Sequence, residues 1–188
     1  MGLAGQTFDR ILGRTTDPTT GGKLRRGDFK LANAISCRPP NNVLVGAPYE
    51  FGALSHCKRA HLERVIRDFQ PKAIVALGNV ALRALTGQWG IEQLRGYIFE
   101  TPYGPVVPTY HPSYIMRGKW NLARVVQLDF LRALEVSRKG AKSFLQPKNY
   151  LLAADWGMAR DFFAEWRRLG KPSLSFDIET PYAGEAAD

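Results

Sequence analysis

Five consecutive apolar residues, Ala73-Ile74-Val75-Ala76-Leu77, end abruptly at Gly78. A run of this kind reads as a strand buried on both faces, and strands of that type belong to parallel sheets covered by helices. Upstream of it, His56 to Phe69 places Leu62, Val65, Ile66 and Phe69 at helical spacing before Pro71; downstream, Asn79 to Leu85 has helical composition. Helix, strand, helix predicts an α/β fold with a parallel sheet. Further strands are expected at Leu31 to Ile35, ahead of the turn-forming Arg38-Pro39-Pro40-Asn41-Asn42, and at Val106-Val107, ahead of Pro108 and a loop that carries His111. Leu122 to Val136 has a long helical pattern. Each expected strand runs into a polar loop, and loops at the carboxyl ends of parallel strands usually hold the ligand.

A domain boundary is expected between Ser137 and Asn149, where Arg138-Lys139-Gly140-Ala141-Lys142 is polar and Pro147 interrupts any helix. The organisation that follows is a first domain over residues 1–137, a linker over 138–149 and the opening of a second domain over 150–188. In that last segment Tyr150-Leu151-Leu152-Ala153 is strand-like, Asp155 suits the cap of a helix reaching about Leu169, and Leu174 to Thr180 alternates like a strand. A β-α-β opening cannot bury its own faces, so the expectation is a domain whose remainder lies elsewhere.

Charge separates the two parts. Residues 1–140 hold 20 Lys and Arg against 10 Asp and Glu, whereas 141–188 hold 6 against 7. A concentrated positive field favours a polyanion, since each phosphate neutralised releases condensed counterions, although solubility alone accounts for many basic domains. No stretch approaches the roughly 20 apolar residues of a membrane span and no secretory signal opens the chain, so a cytoplasmic location without membrane attachment is expected. Cys37 and Cys57 allow at most one disulfide, which a cytosolic chain rarely keeps; burial and metal ligation are the two uses open to them.

The residues with chemical potential lie in a few short stretches. Asn33 precedes Cys37-Arg38-Pro39-Pro40, and an amide presents one donor and one acceptor side by side. Read alone, Asn33 is better taken as ending a strand in an Asx-turn. His111 sits between a strand and Pro112, followed by Ser113-Tyr114-Ile115-Met116-Arg117. Read alone, it is as well a loop-anchoring residue as a donor or base.

Gly2-Leu3-Ala4-Gly5, Asn33 to Asn41, Ile74 to Gly78, Leu94-Arg95-Gly96 and Pro108 to Arg117 stand in an order and spacing that resemble the uracil-DNA glycosylase superfamily, most closely its iron–sulfur branch, family 4. The resemblance covers about residues 1–137, and it implies a three-layer α/β/α fold around a central parallel sheet. It implies that His111 faces uracil and donates to its carbonyl oxygen, and that Asn33 reads the base edge. Cleavage of the N-glycosidic bond leaves negative charge on uracil, and a donor aimed at that oxygen lowers the barrier. A fixed amide leaves buried polar groups unpaired against the wrong base.

The same resemblance assigns DNA contacts to Arg38, Pro39, Pro40, Ser113, Tyr114, Ile115, Met116, Arg117 and Lys119. Extruding a base from a duplex costs a few kcal/mol, which an apolar wedge helps to offset. Ile115 and Met116 suit the wedge, the alternative being a core position at the loop-to-helix junction; Arg117 and Lys119 suit flanking phosphates. The family's 4Fe-4S cluster takes four cysteines, two of them matching Cys37 and Cys57 and two from a Cys-x-x-Cys that this sequence does not contain. The family's Gly-rich motif, with its water-orienting group and stacking aromatic, belongs just ahead of Gly2-Leu3-Ala4-Gly5. A first strand missing from the given sequence is therefore expected, as is a monomer acting on uracil-containing DNA. A non-catalytic DNA-binding or iron–sulfur module is the competing reading.

Near the other end, Phe176-Asp177-Ile178-Glu179-Thr180 puts Asp177 and Glu179 on one face of a strand, where two carboxylates can share Mg²⁺ or Mn²⁺. The stretch resembles the first motif of DnaQ-like 3′–5′ exonucleases, including polymerase proofreading domains, and implies the first β-α-β of a ribonuclease H-like domain. Solvated strand-end charges are the alternative.

Overall fold

The computed structural model describes residues 2–144, 155–170 and 173. Its elements are α1 (Leu3–Leu12), α2 (Glu50–Cys57), α3 (Glu63–Phe69), β1 (Ile74–Leu77), α4 (Gly78–Thr86), α5 (Ile91–Leu94), β2 (Phe99–Thr101), β3 (Gly104–Thr109), α6 (Pro112–Met116), α7 (Ala123–Lys139) and α8 (Trp156–Arg168). The chain divides into two compact units, Met1–Gln146 and Pro147–Asp188.

In the first unit the sheet has the order β1-β3-β2. β1 and β3 run parallel with Ile74 opposite Val106 and Leu77 opposite Thr109, so the two strands end level. β2 joins β3 as an antiparallel hairpin. The result is a mixed α/β unit with a small sheet, and its parallel core comes from the two apolar runs that predicted it. Val106, Val107, Pro108 and Thr109 are all buried, as a central strand requires.

Helices cover the sheet because their sequences place apolar residues on one face. α7 buries Val126, Phe130, Ala133 and Val136, spaced by four and three, and ends at Gly140 with φ 80°. α1 contributes Phe8, Ile11 and Leu12 to the same core, where Phe8 and Phe29 pack against Phe130 at ring-centroid distances of 5.7 and 5.4 Å. The helix expected from His56 begins earlier, at Glu50, and continues through a π-helical segment, Lys58–Leu62, into α3.

Leu31 to Ile35, expected as a strand, has no regular structure. A strand needs a ladder, and among the described residues β1 pairs with β3 alone. Residues 31–35 and β1 instead line one cavity of about 440 Å³. Unpaired to β1 across that cavity, the run makes no ladder and takes no strand form.

A bidentate ion pair ties α7 to the turn after α1. Arg138 donates from Nη2 and Nη1 to the two Asp17 carboxylate oxygens at 2.5 and 2.8 Å, and Thr19 N–H donates to Asp17 as well. Arg138 first, then the Thr19 amide, holds the Asp17 carboxyl well below its ordinary 3.8. A carboxyl depressed in the folded state contributes stability above its unfolded pKa and loses it as pH falls. Arg138→Ala should therefore melt below the parent at pH 7, with the gap closing as pH drops under about 4 in a series of thermal melts.

In the second unit, α8 is capped as the sequence suggests: Asp155 Oδ1 accepts from Met158 N–H at 2.8 Å. Trp156, Phe162 and Phe163 on this helix are exposed. The expected strands Tyr150 to Ala153 and Leu174 to Thr180 lie outside the described residues. Among the described residues, no helix is long and apolar enough to cross a membrane.

Candidate active site

Because β1 and β3 end level, the residues that follow them run side by side: Gly78 opens α4 and His111 caps α6. Pro112 occupies the first helical position, where its missing N–H costs nothing. His111 Nδ1 accepts from the Ser113 backbone N–H at 3.1 Å, with Ser113 Oγ 2.7 Å away. A backbone N–H can only donate, so Nδ1 carries no proton and the neutral ring bears its hydrogen on Nε2. His111 keeps exposed surface, yet desolvation by the groups packed around its ring, followed by the nearby Arg117 charge, lowers its pKa below 6.5. The site thus holds a neutral imidazole with a fixed tautomer and a free Nε2–H.

His111 borders two cavities. The larger, of about 440 Å³, is mainly apolar, with Ile35, Ile66, Val75 and Phe130 in its wall, and Asn33 also lines it. The smaller, of about 330 Å³, is lined by Gly78, Asn79, Glu92, Tyr110, Tyr114 and Arg117 among others. Asn33 and His111 are therefore brought to one cavity from segments 78 residues apart. Asn33 lies on an exposed irregular segment, not at the end of a strand, because the strand that was to present it does not form.

The segment after His111 divides its residues between fold and surface. Ile115 is fully buried against the α1 core, so its expected role as a wedge in DNA is corrected: its side chain is used in packing. Met116 is 37% exposed and is the apolar residue of α6 that reaches solvent. Tyr114 stacks on Tyr110 at 5.4 Å, and the Arg117 guanidinium lies 6.0 Å from the Tyr114 ring. Arg117 and Lys119 are exposed, as is Arg38 on the loop before the Pro40–Asn42 turn that follows Pro39.

A buried charge cluster supports this end of β3, and residue types alone did not reveal it. Asp129 is 1% exposed and accepts from Arg95 Nε and Nη2 at 3.0 and 2.6 Å and from Thr109 Oγ1 at 2.7 Å. The Gly96 N–H donates to Pro108 O at 2.9 Å, and Arg132 donates to Gly96 O. The Leu94-Arg95-Gly96 stretch is thus clamped between α7 and the strand that delivers His111.

Cys37 is exposed and Cys57 buried, and both are free thiols. Among the described residues, no three His, Cys, Asp or Glu side chains gather where a metal could sit. Two thiols supply half of a four-thiolate set, so the residues present do not make a cluster site. Asp177 and Glu179 lie outside the described residues.

Residues 1–135 match the profile of the Uracil DNA glycosylase superfamily. The Type-4 uracil-DNA glycosylase of Thermotoga maritima is 36% identical over 120 residues, covering 62% of this chain and 60% of that protein. The Type-4 enzymes of Sulfurisphaera tokodaii and Saccharolobus solfataricus are 28% and 26% identical, over 69% and 72% of this chain. The chain spans 57–61% of the length of these relatives.

Proposed function

Since this chain belongs to the uracil DNA glycosylase superfamily, we propose that its first unit supplies the leaving-group donor and the base-reading amide of a uracil-DNA glycosylase. The observation that supports this reading most is the Ser113 N–H to His111 Nδ1 bond, which leaves Nε2–H as the donor. In the proposed reaction the C1′–N1 bond of an extruded deoxyuridine breaks and its electron pair passes into the uracil ring. Charge grows on a carbonyl oxygen, where the neutral Nε2–H donates; water then adds to C1′ and loses a proton to solvent while the departing uracil anion takes one up, leaving an abasic site and neutral uracil. A neutral donor serves this purpose because it needs no proton from solvent to be competent. The Asn33 amide matches the acceptor–donor edge of uracil and mismatches cytosine.

The larger cavity bears on the same proposal. Its wall is apolar and one side of it is β1, whose edge away from β3 has no partner among the described residues. An unpaired strand edge beside an apolar slot fits one more parallel strand. We propose that polypeptide outside residues 1–188 fills it and completes the site, so that the 188-residue chain by itself releases uracil slowly or not at all. The test is uracil release by this chain and by the reading frame extended upstream of Met1; non-catalytic DNA binding is the reading that wins if the extended protein binds DNA and releases no base.

The Phe176 to Thr180 stretch supports a finer proposal, that a protein continued past Asp188 also degrades DNA from 3′ ends with Mg²⁺ or Mn²⁺. Asp177→Ala in such a protein should abolish the metal-dependent nuclease and leave uracil release intact. Nuclease activity unchanged by that substitution would assign these carboxylates to solvent.

A further inference from the structure

We propose that Gly78 is a positioning residue for His111: the absence of a side chain at position 78 sets where the imidazole stands and which of its nitrogens carries the proton. This rests on reading His111 as the glycosylase donor. Gly78 is buried and has φ 80°, and a Cβ placed on it would lie 2.9 Å from His111 Cβ, 3.7 Å from its backbone N and 3.8 Å from its Cα. Real Cβ atoms do not approach so closely, and the atoms they would meet belong to backbone and to Cβ, which cannot swing aside as a side-chain tip can.

The level ends of β1 and β3 produce this crowding, since the two loops leave the sheet abreast. Any side chain at 78 must therefore displace the His111 backbone. His111 caps α6 through a 3.1 Å bond from Ser113 N–H, already at the long end of the normal range. A displacement of a few tenths of an ångström weakens that bond, and the tautomer it fixes is no longer imposed. Gly78 and His111 also border the smaller cavity together.

Backbone strain alone does not account for the site, and the same helix carries the control. Gly87 closes α4 at φ 75°, yet a Cβ there meets nothing within 4 Å. Alanine at either glycine forces an L-residue into the left-handed region at similar cost. The contact with His111 is what distinguishes the two.

The experiment compares the chain with its Gly78→Ala and Gly87→Ala variants by imidazole ¹⁵N nuclear magnetic resonance, the His111 signals being identified by their loss in His111→Gln. In the parent and in Gly87→Ala, His111 should show the Nε2–H tautomer and a protonation midpoint under 6.5. Gly78→Ala should show mixed tautomers and a midpoint moved up towards 6.5. Parent-like signals in Gly78→Ala, or equal changes in Gly87→Ala, would overturn the proposal. Thermal melts supply a second readout where Gly78→Ala folds poorly: His111→Gly removes the Cβ that the new side chain meets, so the loss caused by Gly78→Ala should exceed that of Gly87→Ala in the parent and shrink to about that of Gly87→Ala in a His111→Gly background. A Gly78→Ala loss that is the same in both backgrounds would also overturn it. Neither readout needs activity, so the expected signals together with no uracil release by the upstream-extended protein would refute the glycosylase reading and leave the positioning role standing.

Discussion

Asp129→Ala should lower the thermal unfolding midpoint of the first unit by about 6–12 °C. Asp129 is almost wholly buried and accepts three hydrogen bonds, two from the Arg95 guanidinium and one from Thr109 Oγ1. Removing one member of a buried pair leaves the other charge without compensation, at a cost of about 3–5 kcal/mol. The lower end applies because the Arg95 side chain is 28% exposed and can recover some hydration. About 3 kcal/mol corresponds to the stated shift for a chain of this size. Arg95→Lys should fall between parent and Asp129→Ala, since an ammonium cannot reproduce the two-pronged contact. Differential scanning calorimetry of the three proteins checks the order; a midpoint for Asp129→Ala within 2 °C of the parent would remove the clamp from the account.

In the protein with a completed site, His111→Ala should reduce uracil release about 10²–10³-fold, the usual loss when one preorganised donor to a developing oxyanion is deleted. The pH dependence follows from the neutral ring. Desolvation of the ring and the Arg117 charge hold the His111 pKa below 6.5, so the donor form persists as pH falls through 6.5 and is lost only lower. Rates measured from pH 8 downward should thus stay level past 6.5 before an acid limb begins, and Arg117→Ala should move that limb upward. Protonation also breaks the Ser113 N–H bond to Nδ1, so the folded state takes up this proton less readily than the unfolded chain. Stability linked to His111 is present above 6.5 and lost as pH falls beneath it.

Much of this arrangement was legible where one segment sufficed to specify its own structure. Ala73 to Leu77 and Val106-Val107 are strands because their apolar runs must be buried on both faces, and Leu122 to Val136 is helical by spacing, with the observed helix running to Lys139. His111 was singled out through the family resemblance, and the proline and serine beside it fix its backbone and its Nδ1 partner. Leu31 to Ile35 misled because a strand depends on a neighbour that local composition cannot report, and Asn33 moved with it onto an irregular segment. Ile115 misled for a related reason: the helical turn beginning at Pro112 points it at Phe8 and Ile11, a contact made across more than one hundred residues. The β2–β3 hairpin, three residues on its outer strand, was too short for any periodicity to show. Asp129 and Arg95 lie 34 residues apart, and each alone reads as an ordinary surface charge.

The most direct measurement is the identity of the product formed from a uracil-containing oligonucleotide in the presence of a metal chelator. The reading frame extended upstream of Met1 should release free uracil and leave an alkali-labile abasic site, with cytosine and thymine oligonucleotides untouched and with release lost in His111→Ala. Free uracil formed undiminished by His111→Ala, or DNA bound with no base released, would contradict the account.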